Sequence, residues 1–341
     1  MAYNKMLFFH STQERNIALK RFCPICFLLS LLLLLSAAGC GSAQEAAQDE
    51  QLHITATTYP LYALTSAITA GVDHVEVRRL NTGSVSCLHD YTLTVSDMRY
   101  LEQADIIVLN GAGLESFLEQ ALGQLHGTLL DCSRSVSLLE GDTHEHHEES
   151  GHDLDHGHDH AHEHDPHYWM DPKNMISVAG AIAHTLATED PVNAQLYQRN
   201  AQMVCSALQS AYNGWSAAVE GLSAPYLITF HDGFHYFAEA FGLEILFSME
   251  EEDGATASAR DITLAAALVK EHHLSVIFTE ENGSGSAARA VSGETGVCVS
   301  QLSMLMSGQD APANATAEDI LDQLYILPMN NNIETILEVL K

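Results

Sequence analysis

Short apolar runs alternate with amphipathic stretches along most of the chain. From His53, HITATTYP has the apolar and β-branched character of a buried strand. LYALTSAITAG then repeats apolar residues at helical spacing until Gly71 stops it. VEVRRL reads as a second strand, VSDMRYLEQA as a helix with Ser96 at its N-cap, and DIIVLN as a strand buried on both faces. LESFLEQALGQL has the pattern of an amphipathic helix, and GTLLDC of a further strand. The alternation resumes at Tyr226 with the strands YLITF, EILFSM, SVIFTE and VCVSQL, separated by the helices HDGFHYFAEAFG, ITLAAALVKEHH and SGSAARAVSGETG. Two helices, AEDILDQLYIL and NNIETILEVLK, close the chain. Between the halves, MDPKNMISVAGAIAHTLATED predicts a helix entered through Asp171 and Pro172. The run that opens at Pro191 and ends at Gly221 predicts one helix of about thirty residues, some 40–45 Å long, with Gly214 its weak point. The expected class is α/β: two Rossmann-like α/β domains with parallel sheets, residues 53–190 and 222–341, joined by one long interdomain helix at 191–221, with a ligand site in the cleft between them.

Two segments break this pattern. The first is N-terminal. Lys5, Arg15, Lys20 and Arg21 precede the apolar run FCPICFLLSLLLLLS, and AAGC follows, ending at Cys40. A basic leader, an apolar core and small residues make a secretory signal of residues 1–39. The apolar run falls short of the about 20 residues that a membrane span requires. AAGC resembles a bacterial lipobox, with Ala37 where that pattern has Leu. The resemblance implies that Cys40 is the lipidated first residue of a mature chain anchored to the membrane; the alternative is an uncleaved N-terminal anchor. Either arrangement places the remainder outside the cytoplasmic membrane. Residues 40–52, small and acidic, read as a flexible tether.

The second segment is THEHHEESGHDLDHGHDHAHEHDPH, in which ten histidines are interleaved with acids. It has no apolar periodicity and reads as a disordered insertion, residues 141–165, in the first domain. The formal net charge of the whole chain is −31. Without residues 1–39 it becomes −34, with 10 basic and 44 acidic side chains. Such a surface suits cations and makes nucleic acid a poor partner. Besides Cys40, the exported part carries Cys87, Cys132, Cys205 and Cys298, which allow three full disulfide pairings or none.

Ligands of open α/β sheets bind beyond the carboxyl ends of the strands. Three histidines have that placement. His89 follows VEVRRL after a short glycine-containing loop, His231 follows YLITF directly, and His167 lies at the end of the insertion, before YWMDP.

Three motifs in order, LHDYTLTVSDMRYLEQADIIVLNGAGLES, DPHYWMDPKN and FHDGFHYFAEAFGLEI, supported by IFTE and NNNIETI, resemble the zinc and manganese solute-binding proteins of bacterial ABC importers over nearly the whole mature chain. The acidic histidine run points to the zinc-type, ZnuA-like branch. The resemblance implies a monomeric extracytoplasmic receptor, not an enzyme, that captures Zn²⁺ and delivers it to a permease and its ATPase. It also implies that His89, His167 and His231 are metal ligands, and imidazole nitrogen is a donor that zinc favours. Where manganese-type relatives carry an Asp after the last strand, this chain has LSML, with Ser303 in its place. Loss of that carboxylate favours zinc over manganese. The fourth ligand stays open among water, Glu280, Glu281, His235 and Cys87, with Glu280 the protein group put forward. Asp90, Asp171 and Asp232 are acceptors that can orient ligand imidazoles, and Asp171 can equally cap a helix. The histidine run is expected to hold several zinc ions weakly and the cleft one tightly, because a flexible loop loses more conformational freedom on chelation. A manganese receptor, a zinc hydrolase with Glu280 as base, and an adhesin or zinc buffer built on the histidine run are the alternatives; the chain contains no HExxH motif.

Overall fold

Strand β1 (Leu52–Ala56) organises the first half of the molecule, because it pairs in parallel on both edges. The computed structural model describes residues 51–80, 91–141, 164–249, 258–281, 283 and 285–341, and residues Gln51–Lys341 form one unit. The first sheet has the order β2-β1-β3-β4, with β2 Val75–Arg79, β3 Ile106–Leu109 and β4 Thr128–Asp131. The second has the order β6-β5-β7-β8, with β5 Tyr226–Thr229, β6 Glu244–Ser248, β7 Val276–Glu280 and β8 Cys298–Leu302. Every pairing in both sheets is parallel. Strand order reverses between β1 and β3 in one sheet and between β5 and β7 in the other. These are the switch points where crevices open at the carboxyl ends of strands. The chain is therefore two α/β units with parallel sheets.

Helix α1 (Tyr59–Ile68) follows β1 and is buried at every position, as its apolar character on all sides requires. Helix α2 (Val95–Gln103) starts at a capping box formed by Thr94 and Asp97, so Thr94 and not Ser96 is the N-cap. The Thr94 hydroxyl is the one that accepts the Asp97 N–H. The amphipathic stretch from Leu114 does not make a full helix. It forms a 3₁₀ turn (Ser116–Leu118) and one α-turn, α3 (Glu119–Leu122). Gly111, Ala112 and Gly113 all have positive φ, and the Glu115 side chain folds back onto the N–H groups of Asn110 and Gly111. That fold-back takes the start of the stretch out of helical geometry.

Asp171 caps helix α4 (Pro172–Glu189) by accepting from the Lys173 N–H. Helix α5 (Ala194–Val219) begins three residues later than Pro191 and runs through Gly214, about 39 Å in all. Asp190 fixes its start by accepting from Asn193 Nδ2 and Tyr197 Oη. In the second unit, helices α6 (His235–Phe241), α7 (Ala259–Glu271) and α8 (Ser286–Thr295) connect the strands. The two expected closing helices are one continuous helical run: α9 (Ala317–Leu321), a π-turn (Asp322–Ile326) and α10 (Leu327–Val339). Pro328 sits just past the π-turn, whose wider winding accommodates a residue without an N–H.

One apolar cluster runs through both units, taking in Ile54, Trp169, Phe237, Met304 and Tyr325. Trp169 is its polar stitch: its Nε1–H donates to the Met304 carbonyl, and its own carbonyl accepts from Tyr325 Oη. A second stitch joins β2 and α1 to the segment after β8. The Arg79 guanidinium lies 4.9 Å from the Tyr59 ring centroid and 5.3 Å from that of Tyr62, and donates to Gly308 O and Asp310 Oδ1. A Cβ on Gly308 would come within 2.2 Å of Tyr59 Oη, so the close approach needs glycine there. Cys132, Cys205 and Cys298 are free thiols, and Cys87 lies outside the described residues.

Candidate metal centre

His231 follows β5 by two residues and is buried, at a carboxyl end beside the switch point of the second sheet. The Gly233 N–H donates to its Nδ1 at 2.9 Å. Burial, reinforced by the charge of His167, pushes its pKa down to about 4, so the ring is neutral at ordinary pH. A neutral ring that accepts at Nδ1 carries its proton on Nε2. That Nε2 is buried, makes no hydrogen bond among the described residues, and lies 3.9 Å from Glu280 Oε2. Glu280 ends β7, the neighbouring strand, and is itself buried. A Cβ on Gly283 would come within 2.8 Å of Glu280 Cγ, so the chain closes tightly over this carboxylate.

His167 arrives from the first unit, just ahead of a 3₁₀ turn (Tyr168–Met170) that leads into α4. Asp165 Oδ1 accepts both its backbone N–H, at 2.9 Å, and its Nδ1–H, at 2.8 Å. Burial raises the Asp165 carboxyl, but the hydrogen bonds and charge of His167, with the charge of His235, outweigh it and hold it below the usual value. An ionised acceptor on Nδ1 fixes the tautomer and leaves the ring's lone pair on Nε2, an arrangement also found where a carboxylate orients a metal-binding histidine. The His167 and Trp169 rings meet edge-on at 5.2 Å, and Gly233 lies against the imidazole, where a Cβ would come within 2.9 Å of its Cδ2.

These groups converge. One ligand atom each from His167, His231 and Asp232 lies within 4.8 Å of the others. Two imidazoles and a carboxylate are a donor set that fits zinc. Asp232, read from sequence as an orienting acceptor, is thus also within reach as a donor, and its Oδ1 is 3.6 Å from His231 Nδ1. His235 Nδ1 faces the Asp232 carbonyl at 2.6 Å and Asp165 Oδ2 at 3.8 Å, which places its ring at the edge of the cluster. Glu281 is exposed. Ser303 uses its hydroxyl to accept the Leu305 N–H, while Asn332 brackets its backbone. His89, Cys87, Asp90 and Cys40 lie outside the described residues, as does most of the histidine run. Asp165 was not singled out in the sequence; its place two residues before His167 was the available signal.

A model of the family described as zinc-uptake complex component A, periplasmic (ZnuA), matches residues 54–339. The chain belongs to the ZnuA family. Among similar ZnuA-family proteins is the high-affinity zinc uptake system protein ZnuA of Bacillus subtilis, 29% identical over 301 residues that cover 84% of this chain and 89% of that protein. The zinc-binding protein AdcA of Streptococcus pyogenes is 26% identical over 327 residues, covering 92% of this chain. The match spans 60% of the length of AdcA. A solved structure of a Zn(II)-bound variant of AdcAII from Streptococcus pneumoniae superposes with a TM-score of 0.69 at 26% identity, over 86% of this chain and 99% of that one.

Proposed function

We infer that this ZnuA-family chain is the extracytoplasmic receptor of a zinc importer, which binds one Zn²⁺ between its two α/β units and hands it to a permease. The observation that carries this reading is the convergence of buried His167 and His231 with Asp232, one ligand atom from each lying within 4.8 Å of the others.

The proposed ligands are His167, His231 and His89, with Glu280 as the fourth. Coordination through His231 Nε2 requires the Nδ1–H tautomer, which gives up the Gly233 N–H contact at Nδ1 and leaves Asp232 Oδ1, 3.6 Å away, as the nearest carboxylate for that proton to turn towards. Metal binding needs neutral imidazoles, so the depressed pKa of His231 keeps that ligand ready well into the acid range. Residues 53–190 and 222–341 are proposed as the two domains around the linking helix 191–221. A lipid on Cys40 holds the monomer at the membrane surface, near a permease driven by an ATPase. Binding and release, without catalysis, complete the proposed role. Two cavities, of about 660 and 370 Å³, lie around Met203 and Ser210 and around Arg289, and neither is lined by His167, His231, Asp232 or Glu280.

The test is zinc calorimetry against a competing chelator, on the soluble chain with and without residues 143–164. One tight site that survives the deletion and disappears in His231→Ala supports the receptor reading. A tight site that leaves with the histidine run transfers the function to that run and overturns it.

A further inference from the structure

Both neighbours of His167 in the chain are held by a single residue, Pro166 through its backbone carbonyl and Tyr168 through its side-chain hydroxyl. Asn110 Nδ2 donates to the Pro166 carbonyl at 3.0 Å, and Tyr168 Oη donates to the Asn110 carbonyl at 2.8 Å. Asn110 is fully buried and follows the last residue of β3. It is fixed in turn from behind. Glu115 Oε1 accepts the Asn110 N–H at 2.6 Å and the Thr57 hydroxyl at 2.5 Å, and Oε2 accepts the Gly111 N–H at 2.9 Å. Thr57 follows β1, the strand beside β3, so the network occupies the switch point of the first sheet.

A buried carboxylate costs stability unless donors meet it. Here three donors do, yet burial still pushes the Glu115 carboxyl above its usual value. Glu115 makes none of the contacts around His231 or Glu280, so the metal cluster itself does not account for it. What it does is define the turn at Gly111, Ala112 and Gly113, whose positive φ values leave the backbone without a regular ladder. The turn then presents Asn110 to the segment carrying His167.

We propose that Asn110 and Glu115 are positioning residues for metal binding at His167. Glu115 sets the turn, and Asn110 carries that geometry to Pro166 and Tyr168, so that the imidazole is held in place before the ion arrives. The inference rests on the reading of His167 as a ligand. A ligand already held in place loses little freedom on binding, and this raises affinity without any added contact to the ion.

The experiment uses the full mature chain with Zn²⁺ in chelator competition and Co²⁺ as a visible-absorption probe of coordination geometry. The variants are Asn110→Ala, Glu115→Gln, Tyr168→Phe and His167→Ala, each checked by thermal unfolding without metal. Asn110→Ala is expected to weaken zinc binding about 10–100-fold, the effect typical of groups that orient ligands, and to alter the cobalt spectrum. Glu115→Gln, which sets an N–H against the donors of the turn, is expected to do the same. Tyr168→Phe keeps the ring and loses one hydrogen bond, and is expected to cost about threefold to tenfold. Wild-type affinity and spectrum in a folded Asn110→Ala protein would overturn the proposal. If Asn110→Ala does not fold, Tyr168→Phe decides, and unchanged affinity there overturns it. Zinc binding that His167→Ala leaves intact removes the ligand reading beneath the proposal, a result distinct from failure of the clamp alone.

Discussion

The imidazoles of His167 and His231 stand 5.3 Å apart, centroid to centroid, with their planes crossed at 86°. One comes from the first unit and the other from the end of a strand in the second, so a shared ion would tie the two together. Replacing either with Ala removes a donor, which costs more than removing an orienting partner. Each single variant is expected to weaken zinc binding by more than about 100-fold in chelator competition. Retention of wild-type affinity by either one excludes it as a ligand.

Asp165 acts on His167 through two hydrogen bonds from the same residue. Asp165→Asn preserves the shape and removes the charge that fixes the tautomer. Zinc affinity should fall about 10–100-fold while the metal-free fold stays intact. An unchanged dissociation constant would show that the carboxylate has no part in orienting the ring.

Gly233 offers a test that leaves every donor in place. A Cβ there meets Met304 Cε at 2.3 Å and the His167 ring at 2.9–3.0 Å. The methionine end can swing away, but the imidazole, held by Asp165, must shift by a few tenths of an ångström. Gly233→Ala is expected to lower zinc affinity with little change in metal-free unfolding. An equal loss in both would mark a folding effect instead.

The pH dependence of the metal-free protein follows from His231. Its pKa is near 4 in the folded chain and near the ordinary 6.5 when unfolded. Between those values the unfolded state binds the extra proton, so stability falls as pH drops from 6.5 towards 4 and levels off below. The contribution is at most about 3 kcal/mol. Urea midpoints taken without metal at several pH values should decline over that window and decline less in His231→Gln. A midpoint that holds constant through the window contradicts the burial argument.

Arg79 separates two kinds of interaction. Its partner Asp310 is 83% exposed, and an ion pair so placed contributes little. The stack on Tyr59 and Tyr62 is better shielded and worth about 1 kcal/mol. Arg79→Ala should therefore lower unfolding free energy by about that amount, and Asp310→Asn by almost nothing. The reverse order would assign the stitch to charge.

The alternation of strand and helix was legible because parallel strands buried on both faces read as unbroken apolar runs, such as Ile106–Leu109. That His167 and His231 come close together was foreshadowed by strand ends and local motif. The short helix after Leu114 was not, since its start is dictated by where the Glu115 side chain points, and hydrophobic spacing does not record that. The unbroken closing helix was missed for a similar reason: Pro328 signals a stop unless a π-turn precedes it. The closeness of Asp232 to the two imidazoles and the hydrogen bonds of Asp165 to His167 depend on distances between side chains that only folding brings together.

The apolar cluster stitched by Trp169 has a consequence for how the molecule survives outside the cytoplasm. A chain whose halves share one core has no inexpensive way to open one of them, so its unfolding is expected to be a single calorimetric transition. A receptor that must work beyond the reach of the cytoplasm's refolding machinery gains from this. It exposes few half-open forms to proteases, and its lifetime is set by the rare opening of the whole.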